Sequence, residues 1–288
     1  MPNNISQMGT QFPASVVNEV FNMVKGHSSL AKLAKRMPVA FTGNDIFTFN
    51  LDGEVSIVGE SGTKPAGSAD IKPVNVKPIK VVYQHRVSDE FLHASEEKQL
   101  NMLKAFKEGF AMKIASGLDI MAMHGVNPAT LAASEAIGTN HLDTVQGTEF
   151  ISGDPETALN KAVSLLGDND VTGYILSRDM GMELGSYKEN GISQYPEYKL
   201  GGNPGTLGKT PADVNSTVTK GNVNAMAYLG DFANAFRWGY AAQMPLDVIK
   251  YGDPDGLGDL KRQNQVCLRA EAWIGWGILN KAAFAKIE

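Results

Sequence analysis

The chain is poor in cysteine and has no long apolar segment. Cys267 is the single cysteine among 288 residues, so no disulfide can form within one chain. This suits assembly in a reducing cytoplasm. Residues 1–30 lack the charged start and apolar core of a secretory signal, and no stretch approaches the ~18 uninterrupted apolar residues of a membrane helix. We therefore expect a soluble protein without a membrane partner.

Positive charge is also scarce. The chain has 26 lysines and arginines against 31 acidic residues, a net charge of −5. A protein that reads a nucleic-acid sequence usually presents a basic face, so that function is not expected. A protein that only encloses DNA is different, because a mildly acidic wall repels phosphates and leaves the polymer mobile. Disorder of the whole chain is excluded, since 43% of the residues are hydrophobic.

Two segments come close to ligand-binding motifs. Residues 202–210 (GNPGTLGKT) end like a phosphate-binding loop, but Asn203 stands where that motif needs glycine. Asp253, Asp255 and Asp259 imitate the start of a calcium-binding loop, whose twelfth position, which should be glutamate, is Asn264. We interpret the first segment as an ordinary loop and the second as a turn.

The remaining polar and aromatic residues form no catalytic pattern. Histidines 27, 85, 93, 124 and 141 lack metal-ligand spacing, and we expect a solvated or capping role for His85 and His93. Cys267 lies in an apolar run and should be a buried small hydrophobe. Ser61 and Ser193 lack the pattern of an activated nucleophile. The three tryptophans should serve packing. We therefore predict no enzyme activity and no catalytic, cofactor-binding or metal site.

The first third of the chain has features of an arm and a ribbon. Residues 13–35 predict a helix with a break at Gly26 and His27. Apolar residues then alternate from Phe47 to Val58, and a second extended stretch covers 71–87. The simplest geometry is one hairpin with its tip near 60–68, reaching about 40 Å. A two-stranded ribbon is marginal in water, so it needs another surface, of the same chain or of a neighbour.

A long helix should follow the ribbon. Leu100, Leu103, Phe106, Phe110, Ile114, Leu118 and Met121 recur at spacings of three and four. With Ser95 as the N-cap, about 24 residues give roughly 36 Å of helix, which ends in the run 125–128. Gly109 and Gly117 predict close approach of another backbone.

The second half predicts short, mixed elements. Helices are expected at 155–166 and 178–191, strands at 172–177 and 224–229, and loop at 195–218. Residues 236–243 and 246–251 should be extended, and 263–276 extended or helical. Strands mixed with helices without steady alternation indicate the α+β class.

Several segments, taken in order, resemble the major capsid protein of tailed double-stranded DNA bacteriophages, which has the Hong Kong 97-type fold. The similarity runs from about residue 13 to 287. It is carried by 13–20 (PASVVNEV), 59–65 (GESGTKP), 87–95 (VSDEFLHAS), 117–125 (GLDIMAMHG), 173–177 (GYILS), 228–232 (YLGDF) and 266–273 (VCLRAEAW).

The resemblance implies a division of the chain. It implies an N-terminal arm at 1–43 and an extended hairpin, the E-loop, at 44–80. A peripheral domain with a long spine helix would take 81–133 and 250–279. An axial domain would take 134–249 and 280–288.

The resemblance also implies self-assembly as pentamers and hexamers into an icosahedral shell that encloses phage DNA, contacted non-specifically. Such a protein would be located in the virion and assembled in the host cytoplasm. A portal and decoration proteins are implied partners. Because the arm follows Met1 almost at once, we expect a separate scaffolding protein. Some members cross-link lysine to asparagine between subunits, but no catalytic partner for Lys64 is identifiable, so we expect no cross-link.

Two other functions remain open. An encapsulin-like nanocompartment shell would share the fold and enclose cargo enzymes, which neighbouring genes would reveal. A small-molecule or nucleotide-binding enzyme would need residues 202–210 to bind phosphate. If nucleotides with magnesium do not raise the thermal stability of the protein, the hypothesis of a nucleotide-binding enzyme is excluded.

Overall fold

A computed structural model describes residues 23–24, 26–52, 55–58, 60, 62–64, 66, 68–241 and 246–288. Its helices are α1 (Ser29–Leu33), α2 (Glu96–His124), α3 (Pro155–Ser164), α4 (Arg178–Ser186) and α5 (Phe232–Ala235). Its strands are β1 (Lys35–Pro38), β2 (Asn44–Asp52), β3 (Ser68–Val76), β4 (Ile79–Ser88), β5 (Gln146–Thr148), β6 (Gly173–Leu176), β7 (Lys188–Glu189), β8 (Ile192–Ser193), β9 (Thr206–Leu207), β10 (Thr210–Val214), β11 (Ala227–Gly230), β12 (Phe236–Tyr240), β13 (Leu246–Ile249), β14 (Gln265–Ile278) and β15 (Phe284–Ile287). Helices and strands are mixed irregularly, as expected for an α+β protein.

The first sheet is built around β14. This strand pairs antiparallel with β12 and β13 along one edge and with β4 along the other, and β1 adds to β12 in parallel. Because side chains alternate along a strand, Ala270, Ala272, Ile274 and Trp276 share one face. That face joins the core cluster that contains Phe110, Ile114 and Leu118 of α2.

The second sheet has the order β5-β15-β11-β6-β10-β9. All four residues of β11 are buried, as expected for a central strand. A second core cluster contains residues of α3 and α4, among them Leu159, Met180 and Leu184, together with Ala285 and Ile287 of β15. Ile175, Tyr228 and Phe284 of the second sheet belong to the first cluster, so the two sheets share that core, and the second cluster lies on the other face of the second sheet.

Helix α2 spans 29 residues, about 43 Å at 1.5 Å per residue. It lies between Ser95 and the run 125–128, as predicted, but these bounds enclose 29 residues and not the predicted 24, and Gly125 ends it in the left-handed conformation (φ 69°). Ser95 precedes the helix as expected, but its side chain makes no capping hydrogen bond.

The prediction that Gly109 and Gly117 admit another backbone is wrong within the described chain. A Cβ added at Gly109 would meet no atom within 4 Å, and one at Gly117 would have its nearest atom, Pro128 Cγ, at 3.7 Å.

The second extended stretch is two strands, which corrects the prediction of one hairpin through 87. Strands β2 and β3 pair in nine register positions from Asn44↔Val76 to Asp52↔Ser68, so this ribbon reaches about 30 Å. After Lys77 and Pro78 the chain turns into β4, which pairs with β14. Pro78 lacks the N–H that a continuous ladder would need, so the break falls there.

The predicted N-terminal helix lies largely outside the described residues, which omit 1–22 and 25. Gly26 and His27 are helical, so the predicted break there is wrong. The break occurs at Ser28, whose hydroxyl caps α1 by accepting from the Ala31 N–H. Lys35 begins a strand and does not end the helix.

The strands predicted near 172–177 and 224–229 are β6 and β11. The predicted loop at 195–218 is wrong, because it contains β9 and β10. The ambiguous segment 263–276 is mostly β14. Among the helices that the structure describes, none combines the length and apolarity needed to cross a membrane.

Candidate assembly site

One buried carboxylate holds α1 against the C-terminal half of α2. Asp119 has no exposed surface. It accepts hydrogen bonds from the backbone N–H groups of Ser29 (3.0 Å) and Leu30 (3.2 Å) and from the Ser28 hydroxyl (2.5 Å). The two N–H groups belong to the first turn of α1 and have no partner within that helix. Asp119 therefore anchors α1 to α2.

Two further donors complete the surroundings of Asp119. Asn215 Nδ2 lies 3.2 Å and Thr217 Oγ1 lies 3.3 Å from the same carboxylate. Burial raises the pKa of Asp119 to about 6, and the hydrogen bonds from Ser28, Ser29, Leu30 and Thr217 partly offset that rise. Five donors of the described residues surround the side chain, which offsets the cost of its burial.

A second carboxylate joins α1 to the second sheet. Asp213 of β10 accepts hydrogen bonds from Ser29 Oγ (2.6 Å), Lys32 Nζ (2.7 Å) and Asn203 Nδ2 (3.1 Å). The Lys32 side chain is 38% exposed, so its ion pair should contribute less than about 1 kcal/mol. The hydrogen bonds from the Ser29 hydroxyl and the Asn203 amide are the less exposed contacts of Asp213.

The polar contacts continue beyond Thr217 to the end of α2. The Thr217 carbonyl lies 3.1 Å from His124 Nε2, and Asp143 Oδ2 lies 3.0 Å from His124 Nδ1. The Tyr228 hydroxyl donates to Asp143. Burial alone would raise the pKa of Asp143, but the bonds from His124 and Tyr228 hold it below its usual value. Burial also raises the pKa of Tyr228 well above its usual value.

Three glycines of the first sheet lie against β1 and the end of β3. We call Gly239, Gly275 and Gly277, on the paired strands β12 and β14, the glycine floor. A Cβ added at Gly239 would lie 1.8 Å from the Met37 carbonyl oxygen. One at Gly277 would lie 2.6 Å from Val76 Cγ2. Only glycine lets these two segments lie so close to the sheet.

The ribbon formed by β2 and β3 has apolar side chains that are exposed to solvent. Phe47 of β2 is 69% exposed. In the hairpin loop, Val55 is 98% and Ile57 fully exposed, with Val58 also exposed. Clustered apolar side chains of this kind mark a surface that another molecule covers.

The segment that imitates a calcium loop is held by an arginine. Arg86 of β4 places Nε 2.8 Å and 2.9 Å from the two carboxylate oxygens of Asp255, and its Nη2 3.1 Å from Asp253. Nη2 also donates to the Gly258 carbonyl (2.8 Å), and Nη1 donates to Gln263 (2.6 Å). The hydrogen bonds lower the pKa of Asp255. The turn predicted here is therefore a loop fixed on one guanidinium.

The segment that imitates a phosphate-binding loop is part of a hairpin. Residues 206–214 form β9 and β10, paired antiparallel, whereas a phosphate-binding loop connects a strand to a helix. Asn203 donates to Asp213 and accepts from the Val214 N–H. These contacts fit a structural loop.

The other residues considered from sequence are spread through the fold. His85, His93 and Lys64 are exposed. Cys267 is buried and unpaired, as predicted. Ser61 lies outside the described residues, and Ser193 ends the short β8. Among the residues that the structure describes, no three histidine, cysteine or acidic side chains lie close enough to hold a metal ion.

Sequence reasoning missed Asp119 and His124. A signal was present, because both are polar residues in the otherwise apolar last turns of a helix, in the segment 117–125. A charged residue there implies a buried partner. The partners of Asp119 are not near it in sequence, since residues 28–30 precede it and Thr217 follows it by about ninety residues or more.

The model of the phage capsid family matches residues 9–288. The chain belongs to the phage capsid family. This capsid protein is therefore a structural protein of a capsid shell, located in the virion, as the sequence resemblance predicted. None of the curated proteins compared with it matches.

Solved structures give the same fold. One from Mycobacterium phage Ogopogo is 32% identical, with a TM-score of 0.75 and 91% of each chain covered. One from Gordonia phage Cozz is 24% identical, with a TM-score of 0.74 over 91% of this chain and 86% of that chain. A third, described as the capsid of an empty GTA particle computed with C5 symmetry, is 14% identical (TM-score 0.62; 91% and 89% covered). The fold is of the Hong Kong 97 type.

Proposed function

We propose that this capsid protein assembles as pentamers and hexamers into an icosahedral shell that encloses double-stranded DNA. The observation that carries the proposal is the exposed apolar ribbon on a chain whose other segments are packed in two cores. Burying Val55 and Ile57 on a neighbouring subunit would gain about 1.5–3 kcal/mol each. The five-fold symmetry in the description of the GTA capsid supports pentamers.

Within this proposal the regions keep the roles that the sequence resemblance implied. Residues 1–43 act as the arm, and 44–80 as the hairpin. The peripheral domain takes 81–133 and 250–279, and the axial domain takes 134–249 and 280–288. The second core cluster, which packs α3 and α4 on one face of the second sheet, supports a distinct axial domain. The glycine floor and Asp119 then fix the positions from which the arm and the hairpin extend to the next subunit.

We propose no catalytic role. DNA is enclosed with only non-specific contacts, and a net charge of −5 agrees with a wall that repels phosphates and leaves the packaged polymer mobile. A scaffolding protein, a portal and decoration proteins complete the particle, which is assembled in the host cytoplasm. These partners rest on the family.

The test is a variant with Val55→Asp and Ile57→Asp. Both side chains are exposed in the single chain, so folding should be unchanged, and the apolar contact with the neighbour should be lost. Val223→Asp is the matched control, since Val223 is 84% exposed and lies outside the ribbon. Electron microscopy should show closed particles for the wild type and the control, and dispersed subunits for the ribbon variant.

Particles of normal size from the ribbon variant would contradict the proposal. Nuclease-protected DNA inside particles from infected cells is the second expected result. Particles that hold a cargo enzyme and no DNA would identify a nanocompartment instead.

A further inference from the structure

The short hairpin formed by β7 and β8 turns through an asparagine that is followed by a glycine. Asn190 is the single asparagine in the sequence that precedes a glycine. Asn190 (φ 50°) and Gly191 (φ 80°) are both in the left-handed conformation, which the two-residue loop of such a hairpin favours. Residues 188–192 are exposed, so water and base can reach the turn.

An asparagine side chain and the peptide bond that follows it can react with each other. A bond between Cγ of Asn190 and the backbone nitrogen of Gly191 would close a five-membered ring. In most sequences the next side chain hinders this approach, but glycine has none. A Cβ added at Gly191 would meet no described atom within 4 Å. The Gly191 N–H donates no hydrogen bond to any residue that the structure describes, so the attacking nitrogen is unobstructed.

The folded turn delays this reaction, but the hairpin is weak. Ring closure needs the Cβ of Asn190 to eclipse the Gly191 nitrogen, which the left-handed conformation does not do. Strands β7 and β8 share two register positions, and one hydrogen bond from the Gln194 N–H to the Tyr187 carbonyl (3.2 Å) closes their base. A two-stranded ribbon of this length is marginal in water, and exposed segments with few contacts open most easily. The hairpin should therefore open often enough for the ring to form.

We propose that Asn190 is a site of spontaneous deamidation. Base removes the proton of the Gly191 nitrogen, which then attacks Cγ of Asn190. The N–Cγ bond forms as the Cγ–Nδ2 bond breaks, and the side-chain nitrogen takes up a proton and leaves as ammonia. Water then opens the ring. Attack of water at Cγ gives aspartate, whereas attack at the backbone carbonyl carbon gives isoaspartate, in which the chain runs through Cγ.

The two products affect the hairpin differently. Aspartate tolerates the left-handed conformation as asparagine does, so it adds one negative charge and preserves the turn. Isoaspartate adds one carbon atom to the backbone of a loop whose two residues set the register of Glu189 with Ile192. The isoaspartate form should therefore lose the pairing of β7 with β8. The proposal concerns the single folded chain and does not rest on shell assembly.

The experiment ages the purified, unassembled full chain at neutral and at mildly alkaline pH. Mass spectrometry of a protease digest detects deamidation as a gain of about one mass unit, and an isoaspartate methyltransferase labels the isoaspartate form. A synthetic peptide of residues 186–195 gives the rate without the fold. Deamidation at Asn190 should be at most about tenfold slower in the protein than in the peptide. It should be faster at the higher pH, because base starts the reaction.

Asn264 is a matched control within the same chain. Like Asn190, it is exposed and left-handed (φ 52°). The next residue is Gln265, whose side chain hinders the approach and whose N–H donates to the Leu260 carbonyl (3.0 Å). We therefore expect deamidation to be at least tenfold slower at Asn264 than at Asn190.

Two variants test the roles of the two residues. Gly191→Asn keeps a residue that accepts the left-handed conformation and adds a Cβ beside the attacking nitrogen, so deamidation at Asn190 should slow at least tenfold. Asn190→Gly removes the carboxamide, and aged protein should then contain no isoaspartate in the hairpin. Both positions are exposed, so the thermal stability should stay close to that of the wild type.

Three results would overturn the proposal. The first is a rate at Asn190 more than tenfold below that of the peptide, which would mean that the hairpin protects the site. The second is equal deamidation at Asn190 and Asn264. The third is an unchanged rate in Gly191→Asn. Because the chain is unassembled throughout, a failure here would leave the proposed shell function untouched.

Discussion

Replacing Gly239 with alanine should detach β1 from the rest of the first sheet. The new Cβ would lie 1.8 Å from the Met37 carbonyl oxygen and 2.9 Å from Val39 Cγ2. A carbon and a carbonyl oxygen need at least about 3.3 Å, so β1 must move by more than 1 Å. The obstacle is backbone, so a change of rotamer cannot relieve it.

The cost follows from what β1 loses. Four register positions join β1 to β12, and losing two to four hydrogen bonds costs about 0.5–1.5 kcal/mol each. Alanine is intrinsically better than glycine in a strand by about 0.5–1 kcal/mol, which offsets part of this. We expect the free energy of unfolding to fall by about 2–4 kcal/mol.

Urea unfolding of the unassembled chain measures this change, and a graded series provides the control. Gly277→Ala meets only the Val76 side chain, at 2.6 Å, and Gly275→Ala has its nearest atoms at 3.2–3.3 Å. The loss of stability should therefore decrease in the order Gly239, Gly277, Gly275. A Gly239→Ala protein as stable as the wild type, or less affected than Gly275→Ala, would refute the role of the glycine floor.

Three further substitutions test the buried and fixed polar contacts. Because burial raises the pKa of Asp119 to about 6 from an ordinary 3.8, its contribution to stability is fully present below pH 4 and is lost as the pH rises through 6. The wild type should lose about 3 kcal/mol relative to Asp119→Asn over that window, as measured by urea unfolding at each pH, and parallel curves would contradict the assignment. Arg86→Leu should free the loop that contains Asp255, so limited proteolysis should cut it several-fold faster than in the wild type, and an unchanged cleavage rate would show that other contacts fix the loop. Tyr228→Phe removes the hydroxyl that donates to Asp143 and should lower the free energy of unfolding by about 1–3 kcal/mol, whereas a change below 0.5 kcal/mol, roughly the error of such measurements, would mean that water replaces the hydroxyl.

The polar contacts suggest why the arm can be both anchored and extended. Residues 28–30 are fixed by Asp119 and Asp213, which belong to α2 and to the second sheet. The chain then crosses to the first sheet as β1. The start of the ribbon is thereby held by both halves of the subunit, while Phe47 and the hairpin loop remain exposed for a neighbour.

Sequence reasoning worked where the determinants of structure are local. The stripe from Leu103 to Met121 predicted α2, because apolar residues repeated at helical spacing bury one face whatever they pack against. The alternation from Phe47 predicted β2 in the same way. The order of short motifs predicted the capsid family, which the family match confirms.

What the sequence left open depends on contacts between distant residues. Pro78 sets the place of the break in the second extended stretch, but β14, almost two hundred residues away, decided that β4 joins the first sheet and not the ribbon. The need for glycine at 239 and 277 was decided by Met37 and Val76 lying over them. The sequence by itself determined the local elements and the family, since both are encoded in short spacings. Only the tertiary structure decided which strands pair and which carboxylates are buried, because those free energies arise from groups that meet after the chain has folded.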